Sequence, residues 1–241
     1  MRAMILAAGK GSRLRPLTDS VPKPLVEVAG RPMIAFALQL LRRAGIDEVV
    51  INLHHLGDQI RTTLGDGSAY GVHITYSEEN PILDTGGAIA AAREFLCDDT
   101  FVVVNADVVI DLQLRDVIDF HRRHGATATM VLRHDPRAER KDDIGIDVAL
   151  RIRRLLGRSY DAGPPSTGDR YLFASVHVFD QRLFDYMQAG VYSVTRDVYP
   201  RLLAAGEPVY GYVHRGYWRV LDTPGDLAAG RRELADCREK P

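Results

Sequence analysis

An excess of charge of either sign is missing from this chain. Its 241 residues carry 31 lysines and arginines against 32 aspartates and glutamates, a net charge of −1. No broad surface for nucleic acid or for a membrane follows from that balance, so neither is expected as a partner. Phosphate chemistry, if present, must use a local basic pocket. Cysteine is scarce as well. Cys97 and Cys237 form no spacing motif and no disulfide framework. No apolar run approaches the roughly 20 residues of a membrane-spanning helix. Met1-Arg2 leads straight into a short strand, with no leader peptide in view. A cytoplasmic protein is the default expectation. Hydrophobic residues at 46% and charged residues at 26% are ordinary for a soluble globular chain, long enough for one large α/β domain or two small ones.

Several chemistries are excluded by spacing. His54-His55 has no third ligand placed for zinc. No G-x-S-x-G nucleophile elbow occurs. A dinucleotide fold wants G-x-G-x-x-G, yet the third glycine position here is Leu14. A Walker loop wants four residues between its glycines and a hydroxyl after its lysine, and Gly9-Lys10-Gly11 has neither.

What is present starts at the N-terminus. An apolar strand over Met4–Ala8 runs into a glycine turn at Gly9 and Gly11, followed by Arg13 and by Lys23 between two prolines. Glycines let a backbone come close to a ligand, and amide N–H groups near a helix start attract anions. Arg13 and Lys23 add positive charge where phosphate would sit. Flanking prolines hold Lys23 in a stiff, extended segment. The stretch therefore reads as a polyphosphate site at the start of an α/β domain.

Strand and helix patterns alternate through the first half. Strands are expected at Arg2–Ala7, Glu48–Leu53, Val72–Tyr76 and Phe101–Asn105. Helices are expected at Pro32–Ala44, Leu56–Leu64, Gly87–Phe95 and Leu112–His124. The second half is less regular. Ala126–Leu132, Tyr171–Phe179, Pro208–Val213 and Tyr217–Leu221 read as strands, and Ser193–Ala205 and Thr223–Cys237 as helices. Asp135–Asp143 and the glycine- and proline-rich Gly157–Asp169 read as loops. The pattern predicts a Rossmann-like α/β fold: a mostly parallel, mixed sheet with helices on both faces. No repeat or linker interrupts it, so one domain is expected over 1–241. Two halves are expected within it, 1–133, which carries the phosphate turn, and 134–241.

The N-terminal motif resembles the signature of the sugar-1-phosphate nucleotidyltransferases, L-A-A-G-x-G-x-R-L-x-P-L followed by P-K-P-L. Leu6, Ala7, Ala8, Gly9, Gly11, Arg13, Leu14, Pro16 and Leu17 match its first part, and Pro22, Lys23, Pro24 and Leu25 its second. The resemblance implies that Leu6 to Gly11 bind the nucleotide. It also implies that Arg13 and Lys23 act on its phosphates.

Asp107 directly follows the apolar strand Phe101–Asn105. Ligands of open α/β sheets bind beyond the carboxyl ends of strands, and a carboxylate there can hold Mg²⁺ against phosphate. An aspartate at that place serves equally well as a helix cap or turn residue. The resemblance favours the metal, since these enzymes carry a metal-binding aspartate in an N-x-D context and Asn105-Ala106-Asp107 matches. The family's second metal aspartate falls at Val220, within Trp218–Pro224. Asp222 lies two residues further on, and residues two apart in a strand share a face. Asp222 is therefore the expected second ligand of Mg²⁺.

Thr85, Gly86 and Gly87 precede an alanine-rich helix, and the family places its base-binding loop there. Glycines would let a flat base lie against backbone, with Glu79 lining the same pocket. The T-G-G form resembles the uridylyltransferases of N-acetylmuramate 1-phosphate and some mannose enzymes. Gly145 resembles a glycine that lies against the sugar, and Ser175 stands where relatives often have another glycine. The family's E-K-P motif is missing; its neighbourhood reads Arg153-Arg154-Leu155-Leu156. Of the arginines at 151, 153, 154 and 158, all but one are expected in a solvated, charged loop, and one to clamp the sugar phosphate.

The resemblance implies a Mg²⁺-dependent enzyme that joins an NTP to a sugar 1-phosphate, giving NDP-sugar and pyrophosphate, with uridylyl or guanylyl transfer favoured. Two alternatives stay open. Leu221-Asp222-Thr223 also resembles a cytidylyltransferase acting on a phospho-alcohol such as phosphocholine, and Val220 would suit an inactive, nucleotide-sensing relative. No hexapeptide β-helix tail follows, so a single-function core is expected.

Overall fold

Short runs of β-branched residues make the strands and amphipathic stretches make the helices, close to where the periodicity places them. The computed structural model describes residues 1–135, 144–160 and 169–236. The strands are β1 (Arg2–Leu6), β2 (Glu27–Val28), β3 (Arg31–Pro32), β4 (Glu48–Leu53), β5 (His73–Glu78), β6 (Phe101–Asn105), β7 (Val108–Ile110), β8 (Ala128–His134), β9 (Gly145–Ile146), β10 (Ile152–Leu155), β11 (Arg158–Ser159), β12 (Tyr171–Phe179), β13 (Val209–His214) and β14 (Trp218–Val220). The α-helices are α1 (Ile34–Arg43), α2 (Gly57–Leu64), α3 (Asp84–Ala91), α4 (Arg93–Leu96), α5 (Leu114–Arg123), α6 (Tyr199–Ala204) and α7 (Pro224–Asp236).

Seven strands form one sheet in the order β13-β8-β12-β6-β1-β4-β5. β4 and β5 pair in parallel from Glu48 opposite His73 to Leu53 opposite Glu78. β13 and β8 are also parallel. β12 runs antiparallel to β8, with a bulge between Phe173 and His177. The sheet is thus mixed and mostly parallel, the α/β fold that the alternation predicts. Among the described residues no helix is long and apolar enough to cross a membrane.

Contacts divide the chain into two compact units. The first comprises Ala3–Ile82, Val104–Leu112 and the segment from Gly216 onward. The second comprises Met1–Arg2, Leu83–Val103 and Gln113–Arg215. In the first unit, Leu14, Val26, Val28, Met33, Phe36, Val109, Leu221 and Leu227 form a buried cluster. It fixes from below the segments that carry Arg13, Lys23 and Asp222. In the second unit, Phe101 stacks on Phe184 with ring centroids 5.4 Å apart and packs against Phe179 at 5.5 Å.

Four local expectations differ from the structure. The helix expected at 87–95 starts earlier and breaks at Ala92 into α3 and α4. Thr85, Gly86 and Gly87 therefore sit in a first helical turn and not in a loop. Arg153, Arg154 and Arg158 lie in a hairpin, β10 paired with β11, where charge had suggested a loop. The helix expected at 193–205 opens with a π-turn at Val194–Val198 before α6. Of the expected loops, residues 136–143 and 161–168 lie outside the described residues, as does Cys237.

Candidate active site

The glycine turn, the Pro-Lys-Pro segment and both aspartates come together within the first unit. β1 ends at Leu6, whose carbonyl accepts from the Ala106 N–H at 3.1 Å. That bond places the turn after β6, with Asp107, beside the turn after β1. β14 pairs antiparallel with β7, Val220 opposite Val108. The ladder continues one step, since Leu221 N–H donates to the Asp107 carbonyl at 2.9 Å. Asp222 is the next residue, so the register itself delivers its side chain to Asp107.

The carboxylates meet on one ammonium. Lys23 Nζ donates to Asp107 Oδ2 at 2.5 Å and to Asp222 Oδ1 at 2.8 Å. Arg13 Nη1 forms an ion pair with Asp222 Oδ2. Lys23 is nearly buried, whereas Arg13 is exposed. The Pro22 backbone is extended, and Lys23 begins a short 3-10 turn closed by Val26 N–H to the Lys23 carbonyl at 3.1 Å. Gly11 is required beside it. Its φ is +61°, and an added Cβ would stand 2.9 Å from Thr18 Cγ2 and 3.0 Å from Lys23 Cβ. A Cβ on Gly9 would meet nothing within 4 Å, so backbone there faces open space.

Asp107 Oδ1 is buried and accepts no hydrogen bond. A buried carboxylate oxygen without a partner is costly unless a ligand takes it. Among the described residues no group of three or more His, Cys, Asp or Glu is placed to hold a metal. Mg²⁺ needs no such cage. It binds through one or two carboxylates plus water and substrate phosphates. The Asp107–Asp222 pair, with its orphaned oxygen, fits that donor set.

A buried polar network lies under the turn. Ala7 N–H donates to Asn52 Oδ1 at 2.7 Å, and Asn52 Nδ2 donates to Glu79 Oε1 at 2.7 Å. Asn52 and Glu79 are both buried. Glu79 thus reaches the turn through Asn52, which sequence reasoning missed. Its one signal was an amide in the otherwise apolar run of β4. Ala7 holds position with its N–H engaged, and Ala8 is buried beside it. The two histidines bond to backbone: His54 Nδ1 to the Glu79 carbonyl and His55 Nε2 to the Thr18 carbonyl, each at 2.9 Å.

The remaining candidates lie in the second unit. Gly86 and Gly87 N–H groups donate to the Tyr192 carbonyl at 2.8 and 3.2 Å. An added Cβ would stand 2.4 Å from Tyr192 Cδ2 at Gly86 and 2.0 Å from the Gly190 carbonyl at Gly87. Close packing therefore explains both glycines, and their amides are engaged within the chain. Thr85 Oγ1 accepts from Val194 N–H at 2.9 Å. Gly145 is buried in β9. Ser175, buried at the β12 bulge, has φ +67°, a left-handed backbone that suits glycine. Arg151 donates to the Gly206 and Glu207 carbonyls, tying its segment to the turn between α6 and β13, and Arg153 pairs with Asp147 in the turn before β10 at 2.8 Å.

Comparison with known proteins shows the family. The nucleotidyl transferase family model matches residues 2–236. A mannose-1-phosphate guanylyltransferase of Mycobacterium tuberculosis is 38% identical over 236 residues, covering 96% of this chain and 64% of that protein. The chain thus spans less than two thirds of that relative's length. An N-acetylmuramate alpha-1-phosphate uridylyltransferase of Neisseria meningitidis is 38% identical over 226 residues, 92% of this chain and 94% of that protein. The fold is shared with HddC from Yersinia pseudotuberculosis at a TM-score of 0.80 and 20% identity, over 97% of this chain and 99% of that one. With its signature turn, lysine and paired aspartates on one site, the chain belongs to the nucleotidyl transferase family.

Proposed function

We propose that the chain transfers a nucleotidyl group from an NTP to a sugar 1-phosphate. An oxygen of the sugar phosphate attacks the α-phosphorus, the bond from the α-phosphorus to the bridging oxygen of the β-phosphate breaks, and pyrophosphate leaves. The observation that carries this reading is the convergence of Asp107 and Asp222 on Lys23 beside Arg13. The acceptor is already anionic, so no general base is required. The chain must align two anions and offset their charge. Lys23 would neutralise the phosphates nearest the α-phosphorus, and Arg13 with the Gly9–Gly11 turn would hold the phosphates that leave. Asp107 and Asp222 would hold Mg²⁺, which supplies positive charge to phosphate oxygens.

The nucleotide lies along Leu6 to Gly11 in this reading, with Glu79, Thr85, Gly86 and Gly87 on the base side. Gly145 and Ser175 face the sugar. The names of the relatives favour uridylyl or guanylyl transfer. NTPs and sugar phosphates are cytoplasmic metabolites, and we place the protein there. The contact of Asp222 with Lys23 supports the active reading over the inactive one.

Pyrophosphate release with each of four NTPs against a panel of sugar 1-phosphates and phosphocholine tests the proposal. Release that requires both an NTP and a sugar 1-phosphate is expected. Turnover with phosphocholine alone, or none with any pair, would overturn it.

A further inference from the structure

Three strand ends stand side by side in the first unit, since β1, β4 and β5 are neighbours in the sheet. Ala7 follows β1, Asn52 lies near the end of β4, and Glu79 follows β5. Asn52 and Glu79 are buried, and so is Thr18 in the segment between Arg13 and Lys23. An apolar residue at each place would avoid the cost of burying polar atoms. The four residues Asn52-Leu53-His54-His55 reach both ends of the glycine turn.

At the near end, donor and acceptor roles leave one arrangement. The Ala7 N–H can only donate, so Asn52 turns its Oδ1 to it, at 2.7 Å. Asn52 Nδ2 must then meet an acceptor, and the Glu79 carboxylate takes it at 2.7 Å. Glu79 is held to the same segment by its backbone. Its N–H donates to the Leu53 carbonyl and its carbonyl accepts from His54 Nδ1, both at 2.9 Å.

At the far end, His55 Nε2 donates to the Thr18 carbonyl at 2.9 Å. Thr18 Oγ1 donates to the Gly11 carbonyl at 2.8 Å, and Leu14 N–H donates to the same oxygen at 2.9 Å. Both lone pairs of that carbonyl are thus taken within the chain. Among the described residues, the N–H groups of Gly9, Lys10 and Gly11 meet no acceptor. A turn whose carbonyl is held and whose amides are uncommitted suits an anion.

We propose that Asn52 and His55 are positioning residues of the reaction. Together they form a two-point brace at the end of β4 that holds residues 7–11 in the form that receives phosphate. Neither touches the nucleotide. Asn52 acts through Ala7, and His55 acts through Thr18 and Gly11. The inference rests on the proposed nucleotidyl transfer and deepens its phosphate site. It also gives the adjacent histidines separate tasks, His54 on Glu79 and His55 on Thr18.

The test is calorimetry of each of the four NTPs with Mg²⁺, alongside KM for the NTP and for the sugar phosphate. The tightest-binding NTP is carried through the variants. Asn52→Leu, Thr18→Val and His55→Leu each remove one hydrogen bond at similar volume. Each is expected to weaken NTP binding and raise its KM about tenfold, the scale of one buried hydrogen bond, with the acceptor KM unchanged. Thr18→Ser and His55→Gln keep their donors and should stay near wild type. Asn52→Asp sets two carboxylates against each other and should lose more than Asn52→Leu. In a Glu79→Gln background the same change restores a donor facing an acceptor, so its effect there should be several-fold smaller. Melting curves report the stability of every variant. His55 is half-buried, so its pair of variants keeps the test open where a variant of buried Asn52 fails to fold. Lower melting temperatures with wild-type NTP affinity and KM in Thr18→Val and His55→Leu would overturn the inference. So would an Asn52→Asp effect of equal size in both backgrounds. Weakened NTP binding in variants of a protein that turns over no acceptor would sink nucleotidyl transfer and keep the brace. Turnover with variants indistinguishable from wild type would do the reverse.

Discussion

Lys23 Nζ lies 2.5 Å from Asp107 Oδ2, and the same ammonium reaches Asp222 at 2.8 Å. One cation therefore separates two carboxylates that would otherwise repel. Lys23→Ala is expected to lower kcat by about two or more orders of magnitude, the scale of losing one preorganised charge. It should also make the fold more responsive to Mg²⁺. With the ammonium gone, added Mg²⁺ should raise the melting temperature of the variant more than that of wild type. A variant with most of the wild-type kcat would remove Lys23 from the reaction.

The displaced aspartate gives a second prediction. Asp222→Asn is expected to reduce Mg²⁺-dependent turnover nearly as far as Asp107→Asn. An amide keeps an oxygen but loses the charge that holds a hard cation. Val220 pairs with Val108, two residues before Asp222 on the same segment. Val220→Asp should therefore be tolerated, and should partly rescue Asp222→Asn. Full activity of Asp222→Asn would place the second carboxylate elsewhere.

The two turn glycines should fail differently. Gly11→Ala forces a left-handed alanine and a Cβ 3.0 Å from Lys23 Cβ. It is expected to cost about 1–2 kcal/mol of stability and to lower kcat by displacing Lys23. Gly9→Ala meets nothing within 4 Å. It should leave the denaturation midpoint unchanged and raise the KM for NTP. A destabilised Gly9→Ala would mean that the space above the turn is not for a ligand.

Ser175 holds φ +67° inside β12. Ser175→Gly is expected to raise stability by up to about 1 kcal/mol, because glycine meets no Cβ penalty there and loses part of the gain to backbone entropy. Urea unfolding of the two proteins measures it, and a destabilised glycine variant would contradict the argument.

Acid should weaken the second unit through two histidines. Burial lowers His177 to about 3 and His121 to about 4. Unfolding exposes both to water, where they take up protons near pH 6.5. Their contribution is therefore complete above about pH 6.5 and is lost as pH falls toward 4 and then 3. Melting temperatures between pH 7 and pH 4.5 should fall, and should fall less in His121→Gln, which keeps a polar partner for Thr129 Oγ1.

Where a segment's own pattern sets its structure, the sequence was legible. The apolar runs Glu48–Leu53, Phe101–Asn105 and Tyr171–Phe179 are strands with the expected bounds. Thr223 caps α7 as expected, its Oγ1 accepting from Asp226 N–H at 3.2 Å. Elements set by distant contacts were not legible. Gly86 and Gly87 read as a loop, yet they are helical because Tyr192, far along the chain, packs against them. The arginines at 153, 154 and 158 read as solvated, because alternation cannot show that a hairpin pairs them. Asn52 gave only an amide among valines, and its bonds to Ala7 and Glu79 exist only once three segments meet. In the site, the sequence and its resemblance name Lys23, Asp107 and Asp222, but not that they meet. The β14–β7 register was needed to bring Asp222 to them.

The central claim is transfer of the nucleotidyl group to a sugar phosphate, and a ³¹P NMR time course reads it directly. Wild-type protein with Mg²⁺, an NTP and a sugar 1-phosphate is expected to lose the NTP and acceptor signals together. A pyrophosphate singlet and the paired doublets of a nucleoside diphosphate sugar should appear in equal amounts, and Asp222→Asn should show neither. NTP consumed with inorganic phosphate as the product, or an acceptor signal that never changes, would contradict the account.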